Sequence, residues 1–184
     1  MLQKVITLLF SGFVATTMAL TKAMPGDIAT YVPYHPKVDN STYGNIDQIY
    51  TTHYHVDWFV NWTSSELTGS IIHDMTVKDF VQYVQMDSWN LNIQAVALLP
   101  AGSALNATLH QGTVPVYNGT YLTWDIKSPN PGSGDVLVIE LDQSYAAGSE
   151  VSLQIFYSTS PSGNALTWLT PEQTSGKVYP YMYT

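Results

Sequence analysis

From Tyr54 to Tyr157, apolar side chains return at every second position in one segment after another. Tyr54, Val56, Trp58, Val60 and Trp62 form one row, with His53, His55, Asp57, Phe59 and Asn61 on the opposite face. Leu67, Gly69, Ile71, His73, Met75 and Val77 form the next. Trp89, Leu91, Ile93, Ala95, Ala97 and Leu99 follow, then Leu122, Trp124 and Ile126, then Leu137, Ile139 and Leu141, then Val151, Leu153, Ile155 and Tyr157. A period of two places each row on one face of a strand and turns that face inward. Turn formers separate the rows at Pro100-Ala101-Gly102, Asn118-Gly119, Pro129-Asn130-Pro131-Gly132 and Ala147-Gly148. The pattern predicts antiparallel all-β architecture. Val77 to Met86 fits neither the helical nor the strand period well.

The last segment, Ser158 to Thr184, is apolar and heavily punctuated. Pro161, Gly163, Pro171, Gly176 and Pro180 exclude a long helix or a central strand. Leu166, Trp168, Leu169, Tyr179, Tyr181 and Tyr183 lie between them. Such a tail cannot form a core alone, so it is expected to lie over a sheet or over another molecule.

Several stretches here resemble the N-terminal β-domain of the leukotriene A4 hydrolase and zinc aminopeptidase family. In the tail these are Ser160-Pro161, Ala165-Leu166, the run Trp168 to Lys177 (W-L-T-P-E-Q-T-S-G-K) and Pro180-Tyr181. Upstream, His53-Tyr54-His55-Val56 and Leu67-Thr68-Gly69-Ser70 resemble the first two strands of that domain. Met86-Asp87-Ser88 with Leu91-Asn92-Ile93 resembles the next. The resemblance runs from Tyr43 to Thr184. It implies a saddle-like antiparallel domain, incomplete at its C-terminus and truncated before the catalytic domain. In the family, substrate-facing glutamines, a glycine-rich exopeptidase loop and H-E-x-x-H come later. This sequence contains no H-E-x-x-H, so the helix face that holds a catalytic zinc is absent from it. No enzyme activity and no cofactor are expected.

Met1 to Ala23 has the form of a secretory signal. Lys4 precedes an apolar stretch from Val5 to Val14, and small residues suited to cleavage follow at Thr17-Met18-Ala19 and Thr21-Lys22-Ala23. The apolar stretch is short for a bilayer span, which takes about 20 residues. Four glycosylation sequons follow, at Asn40, Asn61, Asn106 and Asn118. Residues 24–48 read as an extended arm and residues 49–184 as the β-domain.

Only 11% of residues are charged and the formal net charge is −8, with no arginine. That opposes nucleic-acid binding, which depends on Lys and Arg neutralising phosphates. It opposes strong membrane binding too, unless the N-terminal segment is retained. With no cysteine, stability has to come from packing, glycans or assembly.

Other clusters have plain readings. His53, His55 and Asp57 could line up toward a metal on a sheet face, but a polar face suffices. Glu140, Asp142 and Glu150 flank a hairpin and read as its solvated side. His73 sits in an inward row as a border residue with its hydrogen bonds met. The tyrosines differ: Tyr31 and Tyr34 in the arm, and Tyr179, Tyr181 and Tyr183 with Trp168 and Leu169 in the tail, either cover the sheet or act as adhesive ends. Missing strands would leave open edges. The expected function is a secreted, non-catalytic glycoprotein that builds a homo-oligomer or filament. The alternatives are a fragment of a secreted zinc aminopeptidase or epoxide hydrolase, and a module holding a small lipid or peptide.

Overall fold

The computed structural model describes residues 28, 39, 41–104, 119–129, 132, 134–163 and 165–184. Its strands are β1 (Ile49–Asn61), β2 (Glu66–Val77), β3 (Val81–Ser88), β4 (Leu91–Leu99), β5 (Thr120–Tyr121), β6 (Trp124–Lys127), β7 (Asp135–Tyr145), β8 (Glu150–Thr159), β9 (Thr167–Leu169) and β10 (Tyr181–Tyr183). Every pairing is antiparallel. A five-stranded sheet runs β1-β2-β8-β4-β5, a three-stranded sheet runs β3-β7-β6, and β9 with β10 makes a separate hairpin. The segment that fitted neither period is a turn followed by strand β3.

The core lies between the two larger sheets. Met75, Val77, Ile93, Val96, Val151, Leu153 and Ile155 from the five-stranded sheet pack with Val84, Leu137, Ile139 and Leu141 of the other. Leu122 and Trp124 close one side. Cross-strand register builds the face in rows: His73 pairs with Leu153, which pairs with Leu98; Ile71 pairs with Ile155, which pairs with Val96. The inward rows of β2, β7 and β8 are those read from the sequence.

The β4 row is not. A register shift between Ile93 and Ala95 inserts an extra residue. Ile93, Val96 and Leu98 therefore face the core, while Ala95, Ala97 and Leu99 turn to the other face. One inserted residue reverses a period-two row from that point on. Leu99 packs instead with Ile72 and Ala104 on the far side of the sheet. There the buried Asp74 carboxylate accepts from the Ala104 N–H at 2.9 Å and the Ser152 hydroxyl at 2.6 Å.

The arm, described at 28, 39 and 41–48, is bound to β3 through Tyr43 and Asn45. Tyr43 N–H donates to Asp87 Oδ1 at 2.7 Å. Asn45, 2% exposed, donates from Nδ2 to the Tyr83 carbonyl at 2.9 Å and accepts the Gln85 N–H on Oδ1 at 2.9 Å. One side-chain amide thus stands in for a neighbouring strand at the edge of the three-stranded sheet, where bare backbone groups would be costly. Tyr43 and Ile28 then cover Val136 and Val138 on that sheet's outer face.

Candidate docking surface

β1 is the outer strand of the five-stranded sheet, and among the described residues nothing pairs with its open edge. It is 13 residues long. Tyr54, Val56, Trp58 and Val60 lie opposite His73, Ile71, Gly69 and Leu67, so they share the face that carries the core, as the alternation predicted. The three-stranded sheet does not reach over them. Tyr54 is 56% exposed, Trp58 55% and Trp62 47%, which corrects the expectation that this row is turned inward. Phe59, on the opposite face, is 63% exposed.

Gly69 sets the position of this strand. A Cβ there would fall 1.9 Å from the Asp57 carbonyl oxygen and 3.1 Å from Trp58 Cα, so only glycine lets β1 lie this close. The space above it lets the Trp58 indole N–H reach across to donate to the Tyr157 hydroxyl at 2.8 Å. Trp58 is therefore exposed and fixed in direction at once.

Behind the aromatic row, the open end between the sheets forms a cleft of about 510 Å³, lined among others by Tyr54, His73, Met86, Leu91, Ile93 and Tyr157. Tyr54 meets the His73 ring edge-on at 5.0 Å. His73 Nδ1 lies 3.1 Å from the Thr51 hydroxyl. Burial lowers the His73 pKa to about 4, so the ring is neutral near pH 7. Its place in the inward row is the one read from the sequence.

Apart from Phe59, the opposite face of β1 is polar. His55 Nε2 lies 3.1 Å from Asp57 Oδ2. His53, paired in register with Asp74, is exposed. Among the described residues no group of three His, Cys, Asp or Glu is arranged to hold a metal ion. Asp142 accepts from the Tyr145 hydroxyl at 2.9 Å; Glu150 is exposed and Glu140 half-buried.

Asn61 ends β1, and its Oδ1 accepts the N–H groups of Thr63 and Ser64 at 3.1 and 3.2 Å. By alternation its side chain lies on the face away from Trp58. The other sequons, Asn40, Asn106 and Asn118, lie outside the described residues, as do Tyr31, Tyr34 and the signal-like segment.

The tail folds on itself. In its hairpin Trp168 pairs with Met182 and Leu169 with Tyr181. A 3-10 turn at Pro171–Gln173 is closed by Gln173 Oε1 accepting the Thr170 N–H at 2.9 Å. Trp168 packs edge-on against Trp62 at 5.6 Å, which ties the hairpin to the end of β1. Tyr181 and Tyr183 stack at 6.2 Å and stay exposed at 58% and 46%, with Tyr179 at 78%. The tail thus touches the sheet through Trp168 and leaves its tyrosines in solvent. The reading of adhesive ends passed over Tyr54, Trp58 and Phe59. For Tyr54 and Trp58 the signal was an aromatic at every fourth position, from Tyr50 to Trp62, in a strand with no neighbour before it on one flank; Phe59 lies outside that spacing.

Two packed antiparallel sheets with an open aromatic edge define an all-β domain. No protein-family model matches the chain. It is 32% identical over 149 residues to leucine aminopeptidase 2 of Yarrowia lipolytica, covering 81% of this chain and 20% of that protein. It is 29% identical over 147 residues to leukotriene A-4 hydrolase of Xenopus laevis, covering 79% and 21%. Among solved structures, native yeast LTA4 hydrolase superposes with a TM-score of 0.62 at 22% identity, covering 86% of this chain and 22% of that one. The chain is a homologue of the leukotriene A4 hydrolase and leucine aminopeptidase 2 proteins, and its fold is that of their N-terminal β-domain. It spans about a fifth of the length of those relatives, which are enzymes of a metallopeptidase family. Among the described residues no helix is long and apolar enough to cross a membrane.

Proposed function

We propose that this chain is a secreted, N-glycosylated and non-catalytic β-domain that acts as a structural protein by self-association into an oligomer or filament. The observation that carries the reading is the β1 edge. Long, flat, apolar edges are ordinarily blocked by charge, proline or a covering segment. Here Tyr54, Trp58 and Phe59 are each more than half exposed beside an edge with no described partner. All three rings bury much area, and Tyr54 and Trp58 also keep a polar tip, which suits an interface. The low charge of the sequence, 11%, offers little repulsion against it. A glycan on Asn61 would project from the face opposite Trp58 and leave the aromatic row clear.

A second reading is favoured by one observation. The matched relatives are about five times longer, and the rest of such a protein has to contact this domain somewhere. The same aromatic face would then seat a zinc-peptidase domain.

The test is the mass in solution of the full chain, secreted from a eukaryotic host and measured by light scattering behind gel filtration. The expected result is a mass above that of the glycosylated monomer, rising with concentration. A monodisperse monomer at high micromolar concentration overturns self-association in favour of the second reading.

A further inference from the structure

We propose that two copies pair antiparallel through β1, edge to edge, about a two-fold axis at Val56. The inference rests on the self-association reading above and names its contact.

The strand is self-complementary in one register. With Val56 opposite Val56 of the second copy, His55 falls opposite Asp57 and Asp57 opposite His55. Tyr54 falls opposite Trp58, and Trp58 opposite Tyr54. His53 falls opposite Phe59. Residues opposite each other in an antiparallel pair share a face, so Tyr54 and Trp58 meet on the aromatic side and His55 and Asp57 on the polar side. Within one copy His55 and Asp57 already stand 3.1 Å apart. Pairing would extend this contact into an alternating row of two imidazoles and two carboxylates. Trp58 is on the aromatic face, with its indole N–H leaning inward across Gly69 to the Tyr157 hydroxyl, so Tyr54 of the second copy would pack on the outer side of that ring.

Neighbouring registers are worse. An axis at Asp57 sets the two carboxylates against each other, and like charges directly opposite are unfavourable. An axis at His55 must run its outer pairs through the irregularity between Thr51 and His53. The axis at Val56 uses only the regular run from His53 to Phe59, about 23 Å of strand at 3.3 Å per residue. The two five-stranded sheets would join into one. Because the contact is isologous, it closes on itself and gives a dimer. Growth into a filament then needs another surface, and the exposed tail hairpin is left free for it.

The chain has no cysteine, so one introduced thiol reports one position. The experiment compares Val56→Cys with Tyr179→Cys in the full chain, using a short bifunctional thiol reagent, with wild-type mass measured in parallel. Circular dichroism checks that each variant folds. The expected result is rapid covalent dimer formation by Val56→Cys and little by Tyr179→Cys. A charge exchange gives a second reading: His55→Asp weakens association by about tenfold, and adding Asp57→His restores it. If the wild type associates but Tyr179→Cys crosslinks in preference to Val56→Cys, or the charge exchange has no effect, the β1 contact is wrong and self-association stands. If the wild type is a monomer, both fall.

Discussion

His73 couples this fold to pH. Its neighbours are the Thr51 hydroxyl and the ring of Tyr54, and neither carries a charge that would offset the burial of an imidazolium. Burial lowers its pKa from 6.5 to about 4, so the unfolded chain binds this proton more readily than the folded one. The stabilisation from keeping the ring neutral is fully present above pH 6.5. It is lost as the pH falls from 6.5 toward 4, by roughly 3 kcal/mol if the whole shift is realised. Replacing His73 with Gln should remove most of that slope, as read from denaturant midpoints between pH 7 and pH 4. A slope unchanged by the substitution would assign it to the carboxylates instead. The position of His73 was legible because it falls in an unbroken period-two row. The role of Gly69 was not: its need comes from the approach of the Asp57 backbone, a contact between strands that no local pattern encodes.

At the scale of elements, the strands and turns were largely legible because a sheet with one buried face writes its period into the chain. The failures have specific causes. The β4 row was misread past Ile93 because a bulge is set by the partner strand β8, and Gln94 carries no signal that it will be inserted. The β1 row was read as inward because alternation tells which face a residue takes, not whether a second sheet extends over it. The arm was read as extended, yet Asn45 closes the edge of β3 with two hydrogen bonds. Asn45→Ala removes the donor to the Tyr83 carbonyl and the acceptor of the buried Gln85 N–H. A loss of about 2 to 3 kcal/mol is expected, measured as a lower denaturant midpoint with an unchanged slope. A cost within experimental error would mean that the arm adds nothing to the sheet it covers.

At the scale of the molecule, the resemblance read in the tail fixed the fold family, and the relatives and the superposition agree with it. The tail was also read as the adhesive part, because its tyrosines and prolines stand out in sequence. In the structure it is a closed hairpin leaning on Trp62, and the larger unsatisfied edge lies at β1. His55 and Asp57 give β1 complementary groups on one face and Tyr54 with Trp58 complementary rings on the other. The tail offers Tyr181 and Tyr183, already stacked on each other.

The most direct measurement is amide hydrogen exchange along β1 as a function of protein concentration. Alternate amides of an edge strand point outward and exchange freely until another strand accepts them. The account predicts that the outward amides between His53 and Phe59 slow as concentration rises through the association range, while those of the tail hairpin do not slow until larger assemblies form. Exchange rates along β1 that stay the same at every concentration, in a sample that scatters as an oligomer, would contradict it.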